Sequence, residues 1–337
     1  MAFVRSRPVS IFLRLLLIAA LTLVLVPVSP PQGPAETTPP APQGPAEPTP
    51  SAPTGDVTVL HVFLAAGQSN MSGRGLPAGG AYDPADPRIF QFGAKIRTFR
   101  PATVPLDMHD VATGISPATT FAREYLKTQP PNVGVLIIPA AHGATAFTTA
   151  QDKLSWSVGV AVDPEFDLPA LAVAQTLQGM AAAKAAGYSV DLKGVLWHQG
   201  ESNSAISMAA YAAKLDELIA FFRSRLLSPK LPFVVGGLAP EGIAATPGAA
   251  NIDRAHRETP SRVAYTGFAK SMAGGVNPGE RIHFSRVGIE FLGKSYLSAY
   301  RQALRNTAAS PRSSPAPRVT VSAKQLKVTG PPGTLCA

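Results

Sequence analysis

Three short apolar runs each break off into a polar, glycine-bearing block, and this repeated passage constrains the fold more than any single motif. The runs are 57–66 ahead of Gly67-Gln-Ser-Asn-Met-Ser-Gly73, 133–138 ahead of Pro139-Ala-Ala-His-Gly143, and 192–197 ahead of His198-Gln-Gly-Glu-Ser-Asn203. Each is rich in β-branched and apolar residues and too short for a buried helix of ordinary length, so each reads as a buried strand. Helical stripes lie between them. Over 207–227, Tyr211, Leu215, Leu218, Ile219, Phe222 and Leu226 share one face, as in a helix covering a sheet. Strands are expected at 57–65, 133–138, 192–197, 232–237 and 263–266, and helices at 117–128, 168–187, 207–227 and 286–304. This alternation predicts an α/β chain with a parallel central sheet and helices on both sides. The strand order stays open.

In open α/β sheets, reactive groups collect beyond the carboxyl ends of the strands, where all three polar blocks fall. Ser69 offers a hydroxyl there, and His283, in His283-Phe-Ser285, offers an imidazole 214 positions later. A serine hydroxyl hardly ionises at neutral pH and needs a base within hydrogen-bond reach to attack an ester. A neutral histidine, with an ordinary pKa near ~6.5, suits that exchange. The histidine precedes a helical stripe of Ile289, Leu292, Tyr296, Ala299 and Ala303, which would hold its loop. Taken alone, Ser69 reads as a helix N-cap. Its surroundings also differ from the Gly-x-Ser-x-Gly elbow, because Met71 stands at the last position.

With these blocks in place the chain resembles the SGNH/GDSL hydrolase superfamily, and within it the sialate O-acetylesterase-like branch, also classed as carbohydrate esterase family six. The resemblance rests on Gly67-Gln-Ser-Asn-Met71, Gly143 in Ala141-His-Gly-Ala-Thr145, Trp197-His-Gln-Gly-Glu-Ser202 and Glu280-Arg-Ile-His283, and it spans about 57–304. It implies a three-layer α/β/α, flavodoxin-like sandwich. It also implies Ser69 as nucleophile, His283 as general base and Glu280 as the acid that orients the imidazole. The family usually has Asp at that last position, so Glu201 is the alternative acid. The backbone amides of Ser69 and Gly143 and the side-chain amide of Gln199 are the implied oxyanion donors. Gln68 and Asn70 would pin the loop or touch substrate, and His198 would order its own block. Asn203 replaces an acidic residue of the family pattern.

The implied activity is removal of O-acetyl groups from a carbohydrate through an acyl-serine, with no cofactor. Two other readings remain: a degenerate hydrolase that binds cell-surface glycans, and a short-acyl lipid esterase. The small polar loops at 67–80 and 198–207 favour a short acyl group over a lipid. Among the other histidines, His61 reads as a core or edge residue of the first strand, and His256 as a surface residue. His109 and His142 stand near the expected pocket. No His-x-x-x-His spacing occurs and Cys336 is the only cysteine, so no metal site is expected. The first loop is too poor in glycine for a dinucleotide.

The chain ends set the compartment. A basic start and an apolar run over 15–28 read as a signal peptide or an N-terminal membrane anchor over 1–28. The Pro-rich stretch 29–56, with Gln-Gly-Pro-Ala-Glu twice, reads as a disordered linker. The esterase-like domain would then span 57–305, followed by a mostly disordered basic tail over 306–337. Export is expected, to a secreted or surface-tethered location. The net charge is +9, but residues 305–337 hold five basic and no acidic residues, and residues 1–55 hold three Arg against two Glu. The domain therefore keeps 9 − 5 − 1 = +3, which is no nucleic-acid footprint. Oligomeric state is not legible.

Overall fold

The protein, seen in a computed structural model, is described over residues 56–77, 83, 86–110 and 114–307. The expectations for the leader, linker and tail fall on residues outside these ranges, apart from Asp56, Asn306 and Thr307.

Seven strands make one sheet: β1 (Val59–Gly67), β2 (Ile89–Phe92), β3 (Phe99–Pro101), β4 (Val133–Pro139), β5 (Ser189–His198), β6 (Phe233–Gly236) and β7 (Thr266–Ala269). Their order is β3-β2-β4-β1-β5-β6-β7. All neighbours pair in parallel except β2 and β3. Without β2 and β3 the order is the 2-1-3-4-5 of flavodoxin-like folds, whose ligand crevice opens between the first and third of those strands. Here those are β1 and β5, the strands that carry the first and third polar blocks.

The helices are α1 (Ser69–Ser72), α2 (Pro117–Leu126), α3 (Leu168–Ala185), α4 (Met208–Arg225), α5 (Pro240–Ala245), α6 (Ala249–Arg262) and α7 (Arg286–Arg305). Successive residues of β1 face opposite sides of the sheet. Leu60, Val62 and Leu64 join a core with Leu168 of α3 and Leu215, Leu218 and Phe222 of α4. Phe63 and Ala65 join a second core with Phe121 of α2 and Leu292, Tyr296 and Tyr300 of α7. Burial on both faces explains why the run 57–66 is continuously apolar rather than alternating. Polar caps start the long helices. Ser116, Asp167, Ser207 and Ser285 each accept a backbone N–H of the first turn of α2, α3, α4 and α7.

The expected architecture is present, with three differences. The edge strand β3 makes the sheet mixed. The last strand lies at 266–269 rather than 263–266, because α6 runs to Arg262 and Val263 caps it. Finally, α6 was not expected, since the face it buries holds only one large apolar residue, Ile252. Its buried residues are Ala249, Ile252, Asp253, Ala255, His256 and Thr259, mostly small or polar. His256, expected at the surface, is fully buried, with Nε2 2.9 Å from the Tyr211 hydroxyl.

Candidate active site

The site forms where β1 and β5 end side by side. Gly67 has φ of 131°, and a Cβ there would lie 2.0 Å from the His198 carbonyl oxygen. Glycine is thus required for β1 to turn against β5. The next N–H, of Gln68, donates to that same carbonyl at 2.7 Å. Ser69 then opens α1, a position at which the N–H has no acceptor within the helix.

The structure brings Ser69 and His283 together. Ser69 Oγ lies 3.1 Å from His283 Nε2, and His283 Nδ1 lies 2.5 Å from Glu280 Oε2. A carboxylate only accepts, so Nδ1 carries the proton and Nε2 is left to accept from the serine hydroxyl. Glu280 is held in turn. Its N–H donates to the Asn277 carbonyl at 3.0 Å, and Asn277 Nδ2 donates to its Oε1 at 3.4 Å. Asn277 also ties this loop to the nucleophile's, donating to the Arg74 carbonyl at 2.9 Å and accepting from the Leu76 N–H at 3.2 Å. The 276–284 loop that carries Glu280 closes through a Val276–Phe284 bridge.

Asn70 is fully buried beside the nucleophile. Its Nδ2 donates to the Ile282 carbonyl at 3.0 Å and to Glu201 Oε1 at 2.7 Å, while its Oδ1 accepts from the Phe284 N–H at 3.1 Å. Glu201 thus bonds to Asn70 and not to His283. His198, also fully buried, sends Nε2 to the Gly237 carbonyl at 3.1 Å and holds Nδ1 3.5 Å from Glu201 Oε1.

Gln199 differs from expectation. It is fully buried, and its Nε2 donates inward, to Gln68 Oε1 at 3.1 Å, the Thr145 carbonyl at 3.2 Å and Asn203 Oδ1 at 2.7 Å. Its Oε1 accepts from the Tyr211 hydroxyl at 2.9 Å. The side-chain amide therefore braces the loops beneath Ser69 instead of facing the cleft as an oxyanion donor. Gln68 is the other half of the brace, since its Oε1 also accepts the Gly200 N–H at 3.2 Å. Asn203, where the family pattern has an acid, bonds through Oδ1 and Nδ2 to the backbone of Phe147 at 2.9 Å each. Burial raises the Tyr211 hydroxyl well above its ordinary pKa and lowers His256 to about 3, so this braced layer is neutral at both residues.

Gly143 does reach the cleft, but its N–H donates to Asp110 Oδ2 at 3.1 Å. The same carboxylate accepts from Arg74 Nη2 at 2.6 Å and from the Ser72 hydroxyl. Despite desolvation, these bonds to Ser72 and Arg74 leave the Asp110 pKa below its ordinary value. A Cβ on Gly143 would lie 2.4 Å from Asp110 Oδ2, which explains the glycine. His109 lies 6.1 Å from His142, ring to ring, and does not line the cleft; burial lowers it to about 4. Arg74, Asp110 and Asn277 were not anticipated. Arg74 stands in the same glycine-bearing turn as Ser69, a signal that was available, whereas Asp110 is joined to it only by tertiary folding.

The resulting cleft encloses about 480 Å³ and is lined by Ser69, Arg74, Asp110, Gly143, Glu201 and His283, among others. It joins a hydroxyl paired to an imidazole with a charged, open surround. Among the described residues no group of His, Cys, Asp and Glu could hold a metal ion.

The family model described as carbohydrate esterase, sialic acid-specific acetylesterase matches residues 59–302. No curated protein sequence matches the chain significantly. Among solved structures, a protein from Arabidopsis thaliana is similar with a TM-score of 0.59 and 21% identity, over 74% of this chain and 99% of its own. NanS is similar with a TM-score of 0.59 and 20% identity, over 76% and 99%. A carbohydrate acetylesterase from Xanthomonas citri is similar with a TM-score of 0.51 and 21% identity, over 72% of this chain and 56% of its own.

Proposed function

The chain belongs to the sialic acid-specific acetylesterase family of carbohydrate esterases and is a carboxylic ester hydrolase; from that premise we propose that it is exported and deacetylates a carbohydrate through an acetyl-Ser69 intermediate. The observation that carries this reading is the line Ser69–His283–Glu280, with separations of 3.1 and 2.5 Å.

In the proposed reaction Ser69 Oγ attacks the acetyl carbonyl as its proton passes to His283 Nε2. Glu280 keeps Nδ1 protonated and stabilises the imidazolium. The tetrahedral intermediate collapses when His283 returns that proton to the sugar oxygen, which leaves as an alcohol. A water activated by the same imidazole then releases acetate. The oxyanion takes the Ser69 N–H, with the Gly143 N–H as second donor once Asp110 has released it. One such donor is worth ~2.7–4 kcal/mol in comparable acyl transfer. Gln199 supports these donors from below and is not one of them.

The cleft's charged, open lining suits a small acyl group on a polar alcohol. Export rests on the basic start and the apolar run 15–28. Ser69→Ala tests the mechanism: it should abolish release of acetate from an acetylated sugar while the far-UV spectrum and melting temperature hold. Retained turnover in that variant would remove Ser69 from the reaction. N-terminal sequencing of protein recovered outside the cytoplasm tests export.

A further inference from the structure

At the other end of the sheet, a second cavity of about 600 Å³ is larger than the cleft. It opens by the amino ends of β1, β5, β6 and β7, between the last turns of α2 and α7. His61 of β1 lines it, six residues before Gly67, so it lies roughly 20 Å from the nucleophile loop at ~3.3 Å per strand residue. The proposed mechanism does not use it.

Its floor and its rim differ in character. The floor holds Tyr125 and Tyr300, both buried, with rings in edge contact at 5.9 Å. The Tyr125 hydroxyl bonds to His61 Nδ1 at 2.7 Å. Burial, helped by Asp191, pushes Tyr125 up to about 12 and Tyr300 higher still, and burial lowers His61. The floor is therefore a neutral chain of ring faces and hydroxyls. The rim carries Lys193, Lys230 and Arg301, with Asp191 the one acid of the lining. Asp191 is already paired with Lys193. Lys230 stands 5.9 Å over the Tyr265 ring, and Lys230 and Arg301 are exposed.

We propose that this cavity is a second saccharide site that takes an anionic sugar unit, a hexuronate or similar sugar acid. Aromatic rings pack the C–H side of a pyranose, and the tyrosine hydroxyls with His61 exchange hydrogen bonds with its hydroxyls. Lys230 and Arg301 then meet the carboxylate, for which Arg offers a bidentate fork. The volume lies within the range of small-ligand pockets. A site so far from Ser69 holds one unit of a glycan while another is deacetylated. The chain's own tail is a poor occupant. It follows α7, whose last turns line the cavity, but 306–337 carries Arg312, Arg318, Lys324 and Lys327 and no acid. The saccharide class rests on the proposed carbohydrate substrate, whereas the anionic character rests on the rim.

The test uses the full chain carrying Ser69→Ala, titrated with glucuronic acid, glucose and inorganic phosphate and followed by calorimetry or NMR. Glucuronate should bind, more tightly than glucose or phosphate, and more weakly as salt rises. Lys230→Ala with Arg301→Ala should weaken it by about tenfold or more. The same pair, placed in the chain with Ser69 intact, should leave acetate release from a small acetylated sugar unchanged. Glucuronate binding that ignores the double substitution, or that glucose or phosphate matches, would overturn the proposal. So would the absence of any binding at tens of millimolar. Loss of esterase activity on Ser69→Ala is read separately, so failure here does not touch the esterase mechanism.

Discussion

Asn70 bonds to the backbone on both sides of His283. It accepts from the Phe284 N–H at 3.1 Å and donates to the Ile282 carbonyl at 3.0 Å. The residue next to the nucleophile thereby sets the register of the base, and 212 to 214 positions of sequence are closed by one buried amide. Asn70→Ala should lower kcat by about 10²-fold, the order expected when a reacting group drifts by ~1 Å, with little change in KM. It should also cost ~1–3 kcal/mol of stability, because the buried Phe284 N–H and two partly buried acceptors lose a bond. Steady-state kinetics and thermal unfolding check both parts.

Glu280, rather than Glu201, bonds to His283. Glu280→Gln keeps the shape but removes the charge that holds Nδ1–H, and should lower kcat by about 10- to 10³-fold, less than for a buried triad acid. Solvent is the reason for the smaller effect, since the Glu280 side chain is 42% exposed. Glu201→Gln still offers an oxygen to Asn70 and should change kcat by about threefold or less. The opposite ranking would move the acid's role to Glu201.

How far the sequence discloses this arrangement depends on the kind of signal each residue leaves. Ser69, His283 and Glu280 sit in short blocks at strand ends and before an amphipathic helix, so both their identity and their placement are legible. The sheet's core is legible for the same reason, since β1, β4 and the second half of β5 are mostly apolar runs. Gln199 is legible as important, but its direction is not. Whether an amide after a strand faces the cleft or the layer beneath depends on Tyr211 and Gln68, which meet it only on folding. α6 leaves a weak trace, because the face it buries at helical spacing carries Ala, Asp, His and Thr beside one large apolar residue, Ile252, so the stripe is small and polar in character. The hairpin of β2 and β3 is missed because its strands have four and three residues.

Gly143→Ala tests the second oxyanion donor. The added methyl would lie 2.4 Å from Asp110 Oδ2 and 3.0 Å from Arg74 Nη2, forcing the loop or the ion pair to shift. Loss of one oxyanion donor costs about 10²- to 10³-fold in kcat, and a fall of that order with intact melting is the expected result. An unchanged kcat would leave the Ser69 N–H as the oxyanion's donor without help from Gly143.

Burial holds His256 neutral, with its pKa lowered to about 3, whereas the unfolded chain titrates near ~6.5. Between those values the unfolded state binds a proton that the native state does not, so unfolding becomes easier as pH falls through this window. Above ~6.5 both states are neutral at this site and the dependence vanishes. The slope from one such group is at most about 1.4 kcal/mol per pH unit. His256→Gln keeps a polar group near the Tyr211 hydroxyl but cannot titrate. Its unfolding free energy, measured with urea from pH 7 down to 4, should fall less steeply than that of the wild type. The two curves should run parallel above pH 7. Equal slopes below pH 6 would mean that His256 is protonated in the native state, and the neutral layer beneath Ser69 would then carry a charge directly against Tyr211.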